Sequence, residues 1–212
     1  MWVIKLGGSL LGAPELAKWL ETIVNHCDGH VIIVPGGGLF ANSVREAQQI
    51  SNMSDAVAHQ LALLAMDQFG LMLASMNPHL VTASTELEIA ERGWQHRGIV
   101  WLPSKMVLAD ETIPQNWQVT SDSLAAWLAN KLGAQQLIMV KSAPLLRYQQ
   151  AAPSALQHLV DDEVIDSQFS QYIAGQLYQT WVLNKADYAL FKQGFDAKYL
   201  LKKGVRLGVT LE

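Results

Sequence analysis

Three short stretches of this sequence join glycines or hydroxyls to a charged side chain in a way that suits phosphate chemistry. The first is Lys5-Leu6-Gly7-Gly8-Ser9. Without a Cβ, backbone N–H groups can close on an anion, and a helix starting there adds partial positive charge. Lys5 stands beside that turn, where its ammonium could neutralise transferring phosphate oxygens. The same residues also read as a tight turn with a solvated lysine. The second stretch is Val34-Pro35-Gly36-Gly37-Gly38, with Arg45 further along. So many glycines exceed the needs of a turn and suggest backbone passing close to a ligand. Arg45 could hold a carboxylate or a phosphate, or lie on a solvated helix face. The third is Thr120-Ser121-Asp122-Ser123. Asp122 could orient cationic groups in a cleft, or Ser121 or Asp122 could simply cap a helix.

Other chemistries fit less well. Gly36-Gly37-Gly38-Leu39-Phe40-Ala41 satisfies a relaxed dinucleotide fingerprint, and Asp55 lies near the spacing of its ribose-binding acid. That acid should end a strand, whereas Asp55 follows Ser54 at a helix start. A dinucleotide-binding oxidoreductase is kept as an alternative. There is no Walker-type loop, no His-Arg-Asp catalytic loop and no nucleophile elbow. His26, Cys27 and His30 lack paired metal-ligand spacing and read as a buried thiol between surface histidines.

The elements that must position these residues alternate between strand and helix. Strands are predicted at Trp2–Leu6, His30–Val34, His79–Thr82, Ile99–Leu102, Gln136–Lys141, Thr180–Leu183 and Arg206–Leu211. Helices are predicted at Ala13–Cys27, Leu39–Ile50, Ser54–Ser75, Thr85–Arg92, Ser121–Lys131, Glu163–Leu177 and Ala186–Gln193. Ser142–Pro153 reads as a hairpin or loop. The alternation implies βαβ units and a three-layer α/β/α sandwich around a mainly parallel sheet. A single domain, 1–212, is expected, with lobes of about 1–115 and 116–212 meeting at a cleft.

Length and composition agree. The 212 residues are 50% hydrophobic and 16% charged, enough for a sizeable core. A net charge of −4 excludes a broadly basic face for nucleic acid. The single cysteine, Cys27, excludes an internal disulfide framework and fits a reducing compartment. No apolar run reads as long enough to span a bilayer, and the N-terminus lacks the regions of a signal peptide, so a cytoplasmic protein is expected. The largely apolar helix at Ala58–Ser75 and seven tryptophans suggest a homo-oligomer. His59 and Asp67 on that helix read as a satisfied buried pair or a subunit contact.

Taken in order, the motifs resemble the amino acid kinase family, which includes acetylglutamate, carbamate, aspartate and uridylate kinases. Lys5 to Ser9 resembles its phosphate-binding start. Pro35 to Gly38 resembles its acceptor turn, and Ser121-Asp122-Ser123-Leu124-Ala125-Ala126 its aspartate-bearing helix. Val140-Lys141-Ser142 resembles the strand end beside the nucleotide, and Gly204–Leu211 the last strand. A finer resemblance runs through Pro35–Ala41, Val44-Arg45, Ser54-Asp55, Ala58-His59 and Leu64–Gly70. It points to the subgroup of kinases in methanofuran biosynthesis, which convert an aminomethylfuran methyl phosphate to its diphosphate.

The resemblance implies ATP with Mg²⁺ and a small anionic acceptor. Gly7, Gly8 and Ser9 would hold the β- and γ-phosphates, with Lys141 and Ser142 bordering the nucleotide. Lys5 would stabilise the transferring group, and Asp122 would orient Lys5. Gly36, Gly37, Gly38 and Arg45 would bind the acceptor. No protein ligand for Mg²⁺ is implied. One departure stands out: several members carry a second catalytic lysine at a late helix start, where this chain reads Asp166-Ser167-Gln168-Phe169. Lys141, Lys202 or Lys203 could supply that charge, and a non-catalytic nucleotide-binding or storage member is the alternative.

Overall fold

Strands β1 (Trp2–Leu6) and β2 (Val31–Pro35) are buried along their whole length, as strands covered on both faces must be. They belong to a computed structural model that describes residues 1–150 and 155–208. Their partners are β3 (Leu80–Ala83), β4 (Gly98–Trp101), β5 (Gln136–Lys141), β6 (Gln179–Asn184) and β7 (Val205–Leu207). All lie in one sheet of order β3-β4-β2-β1-β5-β6-β7. Every pairing is parallel except β6 with β7. The chain passes from β1 to β2 on one side and later returns to lay β5 on the other. The C-terminal ends of β1, β2 and β5 therefore border a switch point, where α/β sheets open a crevice.

The helices are α1 (Pro14–His26), α2 (Gly38–Ser51), α3 (Asp55–Ser75), α4 (Glu86–Trp94), α5 (Ser104–Leu108) and α6 (Ser121–Lys131). After them come α7 (Leu146–Gln149), α8 (Ala155–Asp161), α9 (Phe169–Ile173) and α10 (Ala197–Lys203). Side chains of β1 alternate between two cores. Trp2, Ile4 and Leu6 join Leu16, Trp19 and Leu20 of α1 on one face. Val3 joins Leu124, Ala125 and Leu128 of α6 on the other. Lys5, two residues after Val3, must then point to the α6 face. A truncation such as Leu20→Ala in these cores costs about 2–5 kcal/mol.

Several expectations need correcting. The predicted helix over 163–177 is reduced to the short α9, and α8, which precedes it, was not anticipated. Glu163 and Gly175 take left-handed φ values of 56° and 68°, so the right-handed helix can neither start at 163 nor run on through 175. The segment at Lys185–Phe191 is a 3-10 helix rather than an α-helix, and α5 and α10 were not anticipated. Within 142–153, residues 146–149 form α7, and 151–153 lie outside the described residues. The last strand covers Val205–Leu207, and 209–211 lie outside the described residues.

Helix α3 overturns another expectation, because its length and hydropathy would suffice to cross a membrane. Here it packs instead against α2, α5 and strands β2, β3 and β4. His59 and Asp67 do not pair. Asp67 accepts hydrogen bonds from the Ser104 N–H at 3.2 Å and from the Ser104 hydroxyl, holding the start of α5. Burial pushes its carboxyl pKa up, against the pull of those two bonds.

Candidate active site

Register sets the site. Lys5 on β1 lies opposite Met139 on β5, and Leu6 opposite Val140. Lys141 lies two residues beyond Met139, so strand alternation turns it to the same face as Lys5. Helix α6 covers that face and delivers Asp122 from its first turn. Lys5 Nζ lies 2.8 Å from Asp122 Oδ1, and Lys141 Nζ lies 2.7 Å from Oδ2. Lys141 also donates to the Val164 carbonyl at 2.6 Å. The Lys5 contact is an ion pair without hydrogen-bond alignment, since Oδ1 makes no aligned bond among the described residues. The Lys5, Lys141 and Asp122 side chains are only 7%, 11% and 6% exposed.

Burial opposes the charge on Asp122, but Lys141 and then Lys5 outweigh it and hold the carboxyl well below the usual carboxylate range. For Lys141 the balance goes the other way. Burial pushes it down and Asp122 pulls it back, while Lys5 pushes it down again, leaving it at about 8. The cluster is thus a carboxylate that cannot take up a proton, gripping two ammonium groups. It can concentrate positive charge, and it is unsuited to proton abstraction.

The start of α6 is capped by residues other than those expected. Thr120 is the N-cap, its hydroxyl accepting from the Asp122 N–H at 3.4 Å. Asp166 reaches in from the loop before α9. It accepts from Thr120 N at 3.0 Å, Thr120 Oγ1 at 2.8 Å, Ser123 N at 3.0 Å and Ser123 Oγ at 2.5 Å. A carboxylate at a helix N-terminus is favourable for both its bonds and its charge. With the cap supplied elsewhere, Asp122 is left to face the lysines. No local pattern marked Asp166 for this, because its partners are more than 40 residues away.

Of the three lysines that could supply the charge of the absent second lysine, only Lys141 stands against Asp122 among the described residues. Lys203 pairs with Asp187 at 3.3 Å, and Lys202 lies over the Tyr199 ring, so neither joins the cluster.

The glycine turns meet each other. A Cβ on Gly8 would fall 2.2 Å from Gly38 Cα, and one on Gly36 would fall 2.5 Å from Gly8 N. Gly36 N–H also donates to the Leu6 carbonyl at 2.9 Å. These glycines are needed first for turn-to-turn packing, a reason that the sequence does not display. Gly36, expected to bind the acceptor, packs against the Gly7–Gly8 backbone and is not among the residues lining the neighbouring cavity. Gly7 has ordinary room, with a Cβ position 3.5 Å from Lys5 Nζ. Ser9 and Ser142, from the first turn and the end of β5, bring their hydroxyls to 3.3 Å.

A cavity of about 530 Å³ opens beside the meeting turns. Gly8, Ser9, Gly37, Gly38 and Arg45 line one part, and Thr120 and Ser121 adjoin the start of α6. Leu63, Met66, Leu124 and Trp117 make much of the wall apolar. The Arg45 guanidinium stacks 4.3 Å over the Trp117 ring, and Trp117 Nε1 donates to Gln48 Oε1 at 2.6 Å. His59 and Asn116 also line the cavity; Asn116 and Trp117 carried no motif, and His59, part of the finer resemblance, was expected as a buried pair or subunit contact rather than as a cavity wall. Asp55 caps no strand. It opens α3 and accepts from Gln48 Nε2 at 2.8 Å, which removes the ribose-binding acid of the dinucleotide alternative.

Residues 1–149 match the sequence model of the amino acid kinase family. The chain belongs to the amino acid kinase family. The [5-(aminomethyl)furan-3-yl]methyl phosphate kinase of Methanocaldococcus jannaschii is 31% identical over 140 residues, 66% of this chain. That match spans 64% of the relative's own length. Among solved structures, UMP kinase from Ureaplasma parvum gives a TM-score of 0.67 at 17% identity, covering 98% of both chains. Uridylate kinase from Archaeoglobus fulgidus gives 0.63 at 19%, covering 86% of this chain and 90% of its own. Aspartate kinase from Synechocystis gives 0.62 at 15%, covering 88% of this chain and 38% of its own. These three similarities establish the amino acid kinase-like α/β fold and carry no substrate.

Proposed function

We propose that this member of the amino acid kinase family is an ATP-dependent phosphotransferase whose acceptor is [5-(aminomethyl)furan-3-yl]methyl phosphate, yielding the diphosphate. The Lys5–Asp122–Lys141 cluster beside the cavity is the observation that carries the reading. Phosphoryl transfer demands positioning and charge neutralisation more than covalent chemistry. Lys5 and Lys141 neutralise the transferring group, and Asp122 holds them in place without acting as a base. A phosphate acceptor is already ionised, so no general base is required.

ATP lies toward the C-terminal half, its phosphates against the N–H groups of Gly7, Gly8 and Ser9, bordered by Lys141 and Ser142. Mg²⁺ enters as part of the nucleotide substrate, because the one carboxylate in the cluster is already committed to two lysines. The acceptor phosphate meets Gly37, Gly38 and Arg45, and its ring meets the apolar wall with Trp117. The M. jannaschii relative, named for that acceptor, supports the choice over a carboxylate or a nucleotide. The apolar side chains exposed on α3, among them Val57, Leu64 and Leu71, support a homo-oligomer.

The test is ADP release with ATP·Mg²⁺ and three acceptors: the aminomethylfuran phosphate, UMP and N-acetylglutamate. Turnover is expected with the first, reduced at least ~100-fold in Lys5→Ala, the scale of a lost preorganised donor. Preference for UMP or the carboxylate would overturn the acceptor. ATP binding without turnover on any of them would overturn the kinase reading.

A further inference from the structure

The cavity's charges do not balance the proposed acceptor. That molecule carries a phosphate at one end and an ammonium at the other. Arg45 and the glycine turn suit the phosphate. For the ammonium, the cavity wall offers no Asp or Glu side chain among the described residues. The ammonium must therefore find uncharged lone pairs, since a buried charge without a partner is strongly disfavoured.

His59 is the wall residue best prepared to supply one. It sits on the rigid helix α3 and is 6% exposed. Burial pushes its pKa down, and the nearby Asn116 backbone offsets part of that. A neutral imidazole carries an N–H on one ring nitrogen and a lone pair on the other. No hydrogen bond to either ring nitrogen of His59 occurs among the described residues, so that lone pair is available to a ligand. Other polar groups on the wall are less suited. The Thr120 hydroxyl is spent on Asp166, while Ser9 and Asn42 are exposed to competing water.

We propose that His59 is the specificity-determining residue of the acceptor site, its free ring nitrogen accepting a hydrogen bond from the acceptor's ammonium group. This rests on the acceptor named above. The cavity then reads the two ends of its ligand by opposite means. Cationic and N–H groups take the phosphate, and a neutral histidine takes the amine without adding a second negative charge next to the incoming triphosphate.

The experiment compares two acceptors, the aminomethylfuran phosphate and its 5-ethyl analogue, which keeps the shape and removes the ammonium. The enzymes are wild type, His59→Leu and His59→Gln. Wild type should favour the amine by about 10- to 100-fold in kcat/KM, the range of a charge-assisted hydrogen bond. His59→Leu should erase the preference through KM for the amine alone, leaving kcat and the ethyl analogue nearly unchanged. His59→Gln, which keeps a lone pair, should retain part of it. Retained preference in His59→Leu, or equal losses on both acceptors, would overturn the role of His59. Should His59→Leu fail to fold, the wild-type preference and the His59→Gln comparison decide: no wild-type preference overturns the role. Wild type inactive on both acceptors overturns the acceptor itself, and the His59 role with it, a result unlike any of the others.

Discussion

Raising the pH should make this protein less active and, through one lysine, more stable. Lys141 has a pKa of about 8 in the folded chain, against about 10.4 for an unfolded lysine. Between those values the unfolded state holds more protons than the folded state, so stability rises with pH. The gap of about 2.5 units corresponds to about 3 kcal/mol, gained from pH 8 to pH 10.5 and absent below pH 8. Activity follows the opposite course. Lys141 supplies charge only when protonated, so kcat/KM should fall tenfold per pH unit above about 8.

Lys141→Met separates this lysine from every other titrating group. Guanidinium melts of wild type and variant at pH 7, 8, 9 and 10 give a stability difference that should move by about 3 kcal/mol in favour of wild type as pH rises. The variant should lose at least ~100-fold in kcat. A wild-type kcat/KM flat to pH 9.5, or a stability difference independent of pH, would refute the ionisation assigned to the cluster.

Other perturbations probe the neighbours of Lys141. Gly8→Ala should destabilise the fold by at least ~1–3 kcal/mol, because its Cβ collides with Gly38 backbone at 2.2 Å. Gly7→Ala should melt near wild type, since its Cβ meets only 3.5 Å contacts, yet lose ATP protection in a thermal-shift assay. Equal melting temperatures for the two variants would contradict the turn-to-turn packing. Asp166→Asn keeps the shape of the cap but removes a charge that raises the pKa of Lys141. Its alkaline activity limb should move to lower pH, together with a loss of about 1–2 kcal/mol of stability; an unmoved limb would leave Asp166 a purely structural cap. Leu64→Glu with Leu71→Glu should shift the protein to monomer in sedimentation, and an unchanged species would place any subunit contact away from α3.

How much of this was legible beforehand depends on how local each cause is. Strand β5 and helix α6 begin and end at the expected residues, because apolar periodicity and helix-start residues act within a few positions. Strand β1 and the glycine turn after it were legible for the same reason. The left-handed backbone of Glu163, where the expected 163–177 helix would start, was not, because nothing in its side chain announces a positive φ.

By itself, then, the sequence determined the alternation of strands and helices, the glycine turns and the presence of Lys5, Asp122 and Lys141 at element ends. Tertiary structure alone decided what those residues touch. The parallel register of β1 and β5 turns Lys141 to the same face as Lys5, and Asp166 caps α6 so that Asp122 can meet both lysines. The close approach of Gly8 and Gly38, and the placing of His59 and Trp117 on one cavity, depend likewise on contacts between distant segments. Such contacts arise from burial summed over the whole chain, which no local pattern encodes.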